Sequence, residues 1–274
     1  MTDSALQIHL NFSALSTDYF RRLQHFLDVI RLLETAVDEV TEEQVLEKKQ
    51  FMSFSPAHGA ELQHEEARHR ARIWIQTGFL RDSIEATGLF IDECLSTCAV
   101  VRISALGRIK GAELNHVLNV LPQRHHKLHF PEKIARLERE FGINSRWVPH
   151  VISLNRVRTC LVHRLGKVTV LDVDDTHELV ALWRTTKLVA RGTTTGKQVL
   201  LDRSGILIEE ESMVEMNFLD HKRTYAIGED IKLSSVELYS TIVTLWSFGV
   251  SCVEGVETYA RSLGIKPDNE KAAV

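Results

Sequence analysis

The chain has 274 residues, 44% of them hydrophobic and 26% charged, with a net charge of −4 when histidines are neutral. That composition describes an ordinary globular chain long enough for one large domain, and it excludes a low-complexity or globally polycationic protein. Nothing resembles a secretory leader in "MTDSALQIHLNF", and no run of about 18 uncharged apolar residues marks a membrane span, so a cytoplasmic, membrane-free chain is expected.

In chain order, residues 17–50 are predicted as a helix capped by Thr17 or Asp18. Phe20, Leu23, Phe26, Leu27, Ile30, Leu33 and Val37 recur at three and four. "SFSPAHG" breaks that pattern. Residues 60 to about 104 read as one long helix or two, with Gly78 and Gly88 as possible kinks, and a shorter helix follows near 111–121. "LPQRHHKLHFP" reads as a basic loop. Pro131 can open the helix "PEKIARLEREF", and Gly142 ends it. A helix over about 146–165 then stops at Gly166.

Beyond Gly166 the period changes. "KVTVLDV", "ELVALWRTTKLVAR", "KQVLLD" and "GILIEE" are short, β-branched or alternating. "DRSG" suggests a hairpin turn, "MVEMNFLD" is ambiguous, and "TYAIGEDIKLS" suggests a last extended segment. Ser234 or Ser235 caps a final helix with Leu238, Ile242, Leu245, Trp246 and Val250 on its apolar side. The expected fold is mainly α: one domain over 1–274, helical over 17–165, with a strand-rich insert over 167–233, a closing helix over 234–263 and a disordered tail over 264–274. The cysteines at 94, 98, 160 and 252 lack paired zinc spacing and read as core thiols of a reducing compartment.

Several motifs are weak. In "HEEARH" the histidines are five apart, about 140° round a helix, so they cannot share one metal. "HHKLH" has better metal spacing, but a basic surface loop is favoured. "GTTTGK" lacks the following helix that a phosphate loop requires. No cofactor or metal is expected.

The charge distribution says more. From Leu121 to Val170 there are ten Lys/Arg against three Asp/Glu, a local +7 that leaves −11 for the rest. Such a band points to a phosphate-bearing partner or to a solvated face. Within it lies "NRVRTCLVHRLGKV", residues 155–168. On a helical wheel Leu154, Val157, Leu161 and Leu165 form one stripe of roughly 80°. Arg156 and His163 fall together on the opposite side, and Arg158 lies beside the stripe. Imidazole suits proton transfer near neutral pH, and guanidinium suits phosphate oxygens. On spacing alone, a capped helix whose arginines pair with glutamates of a neighbouring helix is the favoured outcome.

"RTCLVHRLGKV" resembles the R-x4-H motif of the HEPN superfamily, with Arg158 as the arginine and His163 as the histidine. Thr159 stands where that family usually has Asn, Asp or His. The resemblance implies a HEPN-like bundle and a metal-independent endoribonuclease with a composite site at a homodimer interface. It implies catalytic roles for Arg158 and His163, supported by Asn155, Arg156, Thr159 and Arg164. RNA would be the substrate, held also by Arg124, Lys127, Arg136 and Lys167. Phage defence or a toxin–antitoxin pair would be the setting, with an antitoxin or defence protein as a possible partner. The alternative is a non-catalytic HEPN-like module that dimerises and binds RNA, nucleotide or a protein. For the dimer contact, the apolar side of the last helix and the long helix near Trp74 and Phe79 are the expected surfaces.

Overall fold

A computed structural model describes residues 11–47, 62–107, 111–201 and 205–265. Helix α1 (Phe12–Glu39) starts five residues earlier than the periodicity suggests. The cap is Asn11, whose side chain accepts the Ala14 amide. α1 stops at Glu39, and Thr41 and Gln44 exchange side-chain and backbone bonds that start α2 (Glu42–Glu47). One predicted helix is therefore two. The breaker "SFSPAHG" and the proposed start near residue 60 lie outside the described residues, as does most of "DRSG".

Helix α3 (His64–Ala105) runs unbroken through Gly78 and Gly88. At 1.5 Å per residue its 42 residues span about 63 Å, and from Phe79 onward it supplies much of the core. α4 (Gly111–Asn115), a π-helical turn (His116–Val120) and α5 (Leu121–His126) follow. "LPQRHHKLHFP" is thus not a loop. α5 occupies its first half, continuing directly from the π-helical turn, and His125 is buried. α6 (Phe130–Phe141) ends at Gly142, which takes φ 68° as a left-handed cap. α7 (Val148–Arg164) is the helix that carries the R-x4-H motif.

The insert holds three antiparallel strands in the order β2-β1-β3: β1 (Glu178–Gly192), β2 (Gln198–Leu200) and β3 (Ser212–Ala226). "KVTVLDV" forms no strand; it is a tight exit turn with an isolated bridge from Lys167 to Asp230. "GILIEE" is irregular as well. The ambiguous "MVEMNFLD" is the first part of β3, which pairs with β1 along its whole length. Leu179, Ala181 and Trp183 alternate into the core. Where β1 has no neighbouring strand, helix hydroxyls complete its edge. The Leu182 amide donates to Ser153 Oγ on α7 (2.9 Å), and the Arg184 amide donates to Thr244 Oγ1 on α8 (2.7 Å).

Helix α8 (Ser235–Ser262) begins with a full capping box between Ser234 and Glu237. Among the described residues it is the one helix long and apolar enough to cross a membrane. It is 67% buried over that stretch and serves as the central core helix. Leu238, Ile242 and Leu245 are buried as expected, whereas Trp246 remains 42% exposed. The architecture is 63% helical with a small antiparallel sheet before the last helix, hence mainly α. All four cysteines are buried and unpaired, and burial pushes the Cys98 and Cys160 thiols up to about 12.

Tyr19 joins three helices. Its ring stacks on Phe90 at 4.3 Å, and its hydroxyl meets Thr87 Oγ1 (3.0 Å) and donates to the Leu245 carbonyl (3.1 Å). A Cβ on Gly249 would lie 2.6 Å from that ring, which the two hydroxyl contacts hold in place. Gly249→Ala gains about 1 kcal/mol of helix propensity but incurs about 1–3 kcal/mol of overpacking. A net loss of stability is expected, read as a lower denaturant midpoint. A raised midpoint would show that Tyr19 is free to move aside.

Candidate nucleic-acid interface

Helix α7 presents Val151, Leu154, Val157, Cys160 and Leu161 to the core. Leu165, the fourth member of the expected stripe, is 87% exposed. The wheel fails there because the helix has already stopped. Leu165 takes the left-handed conformation at φ 53° and Gly166 follows at φ 81°. The Gly166 amide then donates back to the Cys160 carbonyl at 3.3 Å.

Arg164 does not face the open surface. It lies 3.1 Å from Asp172 Oδ1, whose other oxygen accepts the Thr169 amide and hydroxyl at 2.9 Å each. Asp172 is buried, so Arg164 holds the exit turn against α7 by charge attraction, without an aligned hydrogen bond from its NH1 group. Lys167, in the same turn, is exposed; its carbonyl accepts from Cys160 Sγ.

The remaining motif residues divide by face. Arg156 and His163 are exposed, on the side away from the core. Arg158 is half-buried, and its Nε is shielded from solvent with no hydrogen-bond partner. Its stem therefore packs at the edge of the apolar stripe. Arg158 and His163 are five residues apart, about 140° round the helix and about 7.5 Å along it. One copy of α7 does not present both to a single phosphate from the same side. Thr159 directs its hydroxyl to the Asn155 carbonyl at 2.9 Å, and Asn155 is half-buried.

The wider basic band is partly neutralised. Lys133 meets Asp92 at 2.6 Å, and Arg136 meets Glu140 at 2.7 Å. Arg136 is therefore not the free phosphate ligand expected from sequence. Arg124 and Lys127 are exposed, at α5 and its C-cap, and among the described residues neither has an ion pair. Burial first, and then the Arg136 guanidinium, hold the His125 imidazole below its usual range. With His125 buried, "HHKLH" is not an open ligand set, and no group of three potential metal ligands occurs among the described residues.

The "GTTTGK" turn does hold an anion, but an internal one. The amides of Thr194 and Thr195 donate to Glu210 Oε2 (3.1 and 3.2 Å), and the Thr195 hydroxyl donates to Glu210 Oε1.

At the other end of α7 lies a cluster that sequence reasoning missed. Arg184, 7% exposed, places its guanidinium 3.7 Å from the Trp147 ring centre and 3.8 Å from that of Phe218. Arg146 lies over the same Trp147 ring at 4.5 Å. The available signal was an arginine inside the apolar run "ALWRTT", coupled to "RW" at 146–147.

Comparison with protein-family models, curated proteins and solved structures finds no match to this chain.

Proposed function

We propose that this chain binds RNA through the exposed side of α7 and cleaves it without a metal ion, as a dimer. One observation carries the reading: Arg156, Arg158 and His163 share one helix and, among the described residues, none is within ion-pair distance of a carboxylate, with Asp174 acting on Arg156 only from farther off, whereas Arg164 is already paired with Asp172. Fixed cations beside an exposed imidazole suit transesterification of RNA. One imidazole takes the proton of the ribose 2′-hydroxyl, and the 2′-oxygen bonds to phosphorus. The bond from phosphorus to the 5′-oxygen breaks, and an imidazolium protonates that oxygen. Guanidinium groups stabilise the charge on the phosphorane. The 140° offset between Arg158 and His163 favours two copies of α7 across a two-fold axis, each supplying what the other lacks. Such chemistry requires the 2′-hydroxyl and fits a cytoplasmic role in phage defence or a toxin–antitoxin pair.

The dimer contact needs revision from the sequence expectation. Leu238, Ile242, Leu245 and Phe79 are buried within their own chain. What remains is Trp246 on the last helix and Trp74, 79% exposed, beside a groove of about 240 Å³ between α1 and α3 lined by Phe26, Val29, Leu33 and Gly78.

A second reading, a dimerising RNA-binding module without cleavage, is favoured by Thr159. Its hydroxyl is turned onto its own helix, where the family usually places an orienting polar group. Incubation of mixed RNA with the protein and a chelator separates the two. Fragments ending in 2′,3′-cyclic phosphate support cleavage, and intact but retarded RNA supports the module. Cleavage that stops with chelator and returns with a divalent ion contradicts the metal-free mechanism.

In either case RNA affinity should fall with salt in proportion to the phosphates neutralised. Replacing Arg124, Lys127 and Arg156 by Ala is expected to lower the slope of log K against log [salt] by about 2–3. Arg136→Ala should change it little, because Glu140 already holds that charge. Filter binding at several salt concentrations measures both slopes, and equal slopes for wild type and triple variant would remove α5 and α7 from the interface.

A further inference from the structure

We propose that the N-terminal end of α7 is a binding site for a phosphate group, separate from the RNA-directed face at the other end of the helix. Arg184 is more than nine-tenths buried, and among the described residues it has no carboxylate ion pair. Its Nε is shielded with no hydrogen-bond partner. A guanidinium held between two aromatic rings retains face-on attraction, but its shielded Nε–H is left without an acceptor. Burying such a charge without an acceptor is costly, and a bound anion offsets that cost.

Three further features converge on Trp147. It is the N-cap of α7 and offers no side-chain acceptor, and the first turn carries no acidic residue. The Val148 amide is taken by the Ser145 carbonyl and Pro149 has none, so this end of α7 contributes the positive end of the helix dipole rather than a row of free amides. Arg146 lies over the same ring and is exposed, so a second guanidinium borders the site from the solvent side. His150 packs edge-on against Trp147, and its buried Nδ1 has no partner. The nearest competing carboxylate is Asp220, opposite Arg184 in the β1–β3 register. It stands 3.3 Å from His150 Nε2 and is not ion-paired with Arg184. Burial first, and then the neighbouring Arg146, lower the affinity of Arg184 for its proton, and Asp220 offsets this only in part. Two guanidiniums beside a helix N-terminus match the several oxygens of a phosphate better than the two of a carboxylate.

Trp147 precedes Arg158 by about 16 Å along the helix axis, so the two sites can be tested independently. Titration calorimetry of the full chain with inorganic phosphate, at ionic strength fixed with chloride, is expected to show saturable binding. Acetate should give none. Arg146→Ala, at an exposed position, should weaken phosphate at least tenfold, as should Arg184→Met, which keeps an apolar stem between the rings. Asp220→Asn should tighten it, because the competing carboxylate is gone. Arg158→Ala and His163→Ala should leave it unchanged, whatever they do to RNA. If Arg184→Met does not fold, Arg146→Ala and Asp220→Asn decide the matter. No saturable phosphate binding, acetate binding as tight as phosphate, or wild-type affinity in Arg146→Ala would each overturn the proposal.

Discussion

Replacing His163 with alanine is expected to slow RNA cleavage by about 10²–10⁴-fold, the usual contribution of a positioned general acid or base. The same change should leave stability within about 0.5 kcal/mol, because His163, although in the last turn of α7, is exposed and makes no core contact. This pairing of a large kinetic effect with an unchanged unfolding midpoint separates chemistry from folding. Arg158→Ala is a less clean test, because the half-buried stem also packs against the apolar stripe. Thr159→Asn restores the residue type that the resembled family usually carries and frees the position from its bond to the Asn155 carbonyl. An increase in cleavage with Thr159→Asn would place this chain at the weak end of a catalytic series. RNA binding unchanged by His163→Ala, with no cleavage in either protein, would leave the binding module as the surviving reading.

The sequence and the structure agree where apolar residues repeat at helical spacing between clear caps, and differ where they do not. α7, α6 and α8 were legible because their apolar residues repeat at three and four and caps such as Gly142 and Ser234 mark their ends. β3 was not, because its residues before Tyr225 are exposed or only half-buried, so no alternation distinguishes inside from outside. "KVTVLDV" has the composition of a strand, but Asp172 instead accepts the Thr169 amide and hydroxyl and folds the segment into a turn. "LPQRHHKLHFP" looked like a loop because its charges hide a buried histidine on α5. At the candidate site, the placement of Arg156 and His163 on the face opposite the core followed from the helical period. The neutralisation of Arg164 did not, because Asp172 belongs to a turn that periodicity cannot place. Arg184 escaped notice for a related reason: its neighbours are rings contributed by α7 and β3, far away in sequence.

The largest stability effect is expected at Lys133. This residue of α6 is 6% exposed and donates to Asp92 Oδ2 on α3 at 2.6 Å, with His126 Nδ1 3.5 Å from the same oxygen. The other Asp92 oxygen is buried without a hydrogen-bond partner. Lys133→Met removes the principal counter-charge and leaves a carboxylate shielded from water, a change that costs about 3–5 kcal/mol. For a chain of this size that corresponds to a fall in Tm of roughly 10 °C. The pair itself need not be strongly stabilising, since desolvation of two ions offsets much of their attraction. The double variant Asp92→Leu/Lys133→Met should therefore recover most of the loss, because neither ion is left behind. A double-mutant cycle by thermal or denaturant unfolding measures the coupling. If the double variant is as unstable as Lys133→Met alone, the cost lies in packing around Gly88 and Phe130 rather than in the stranded charge. The ion pair also fixes α6 against α3, next to α5 with Arg124. Lys133→Met should therefore weaken RNA binding through displacement of that neighbour, and Asp92→Leu/Lys133→Met should restore it along with the fold.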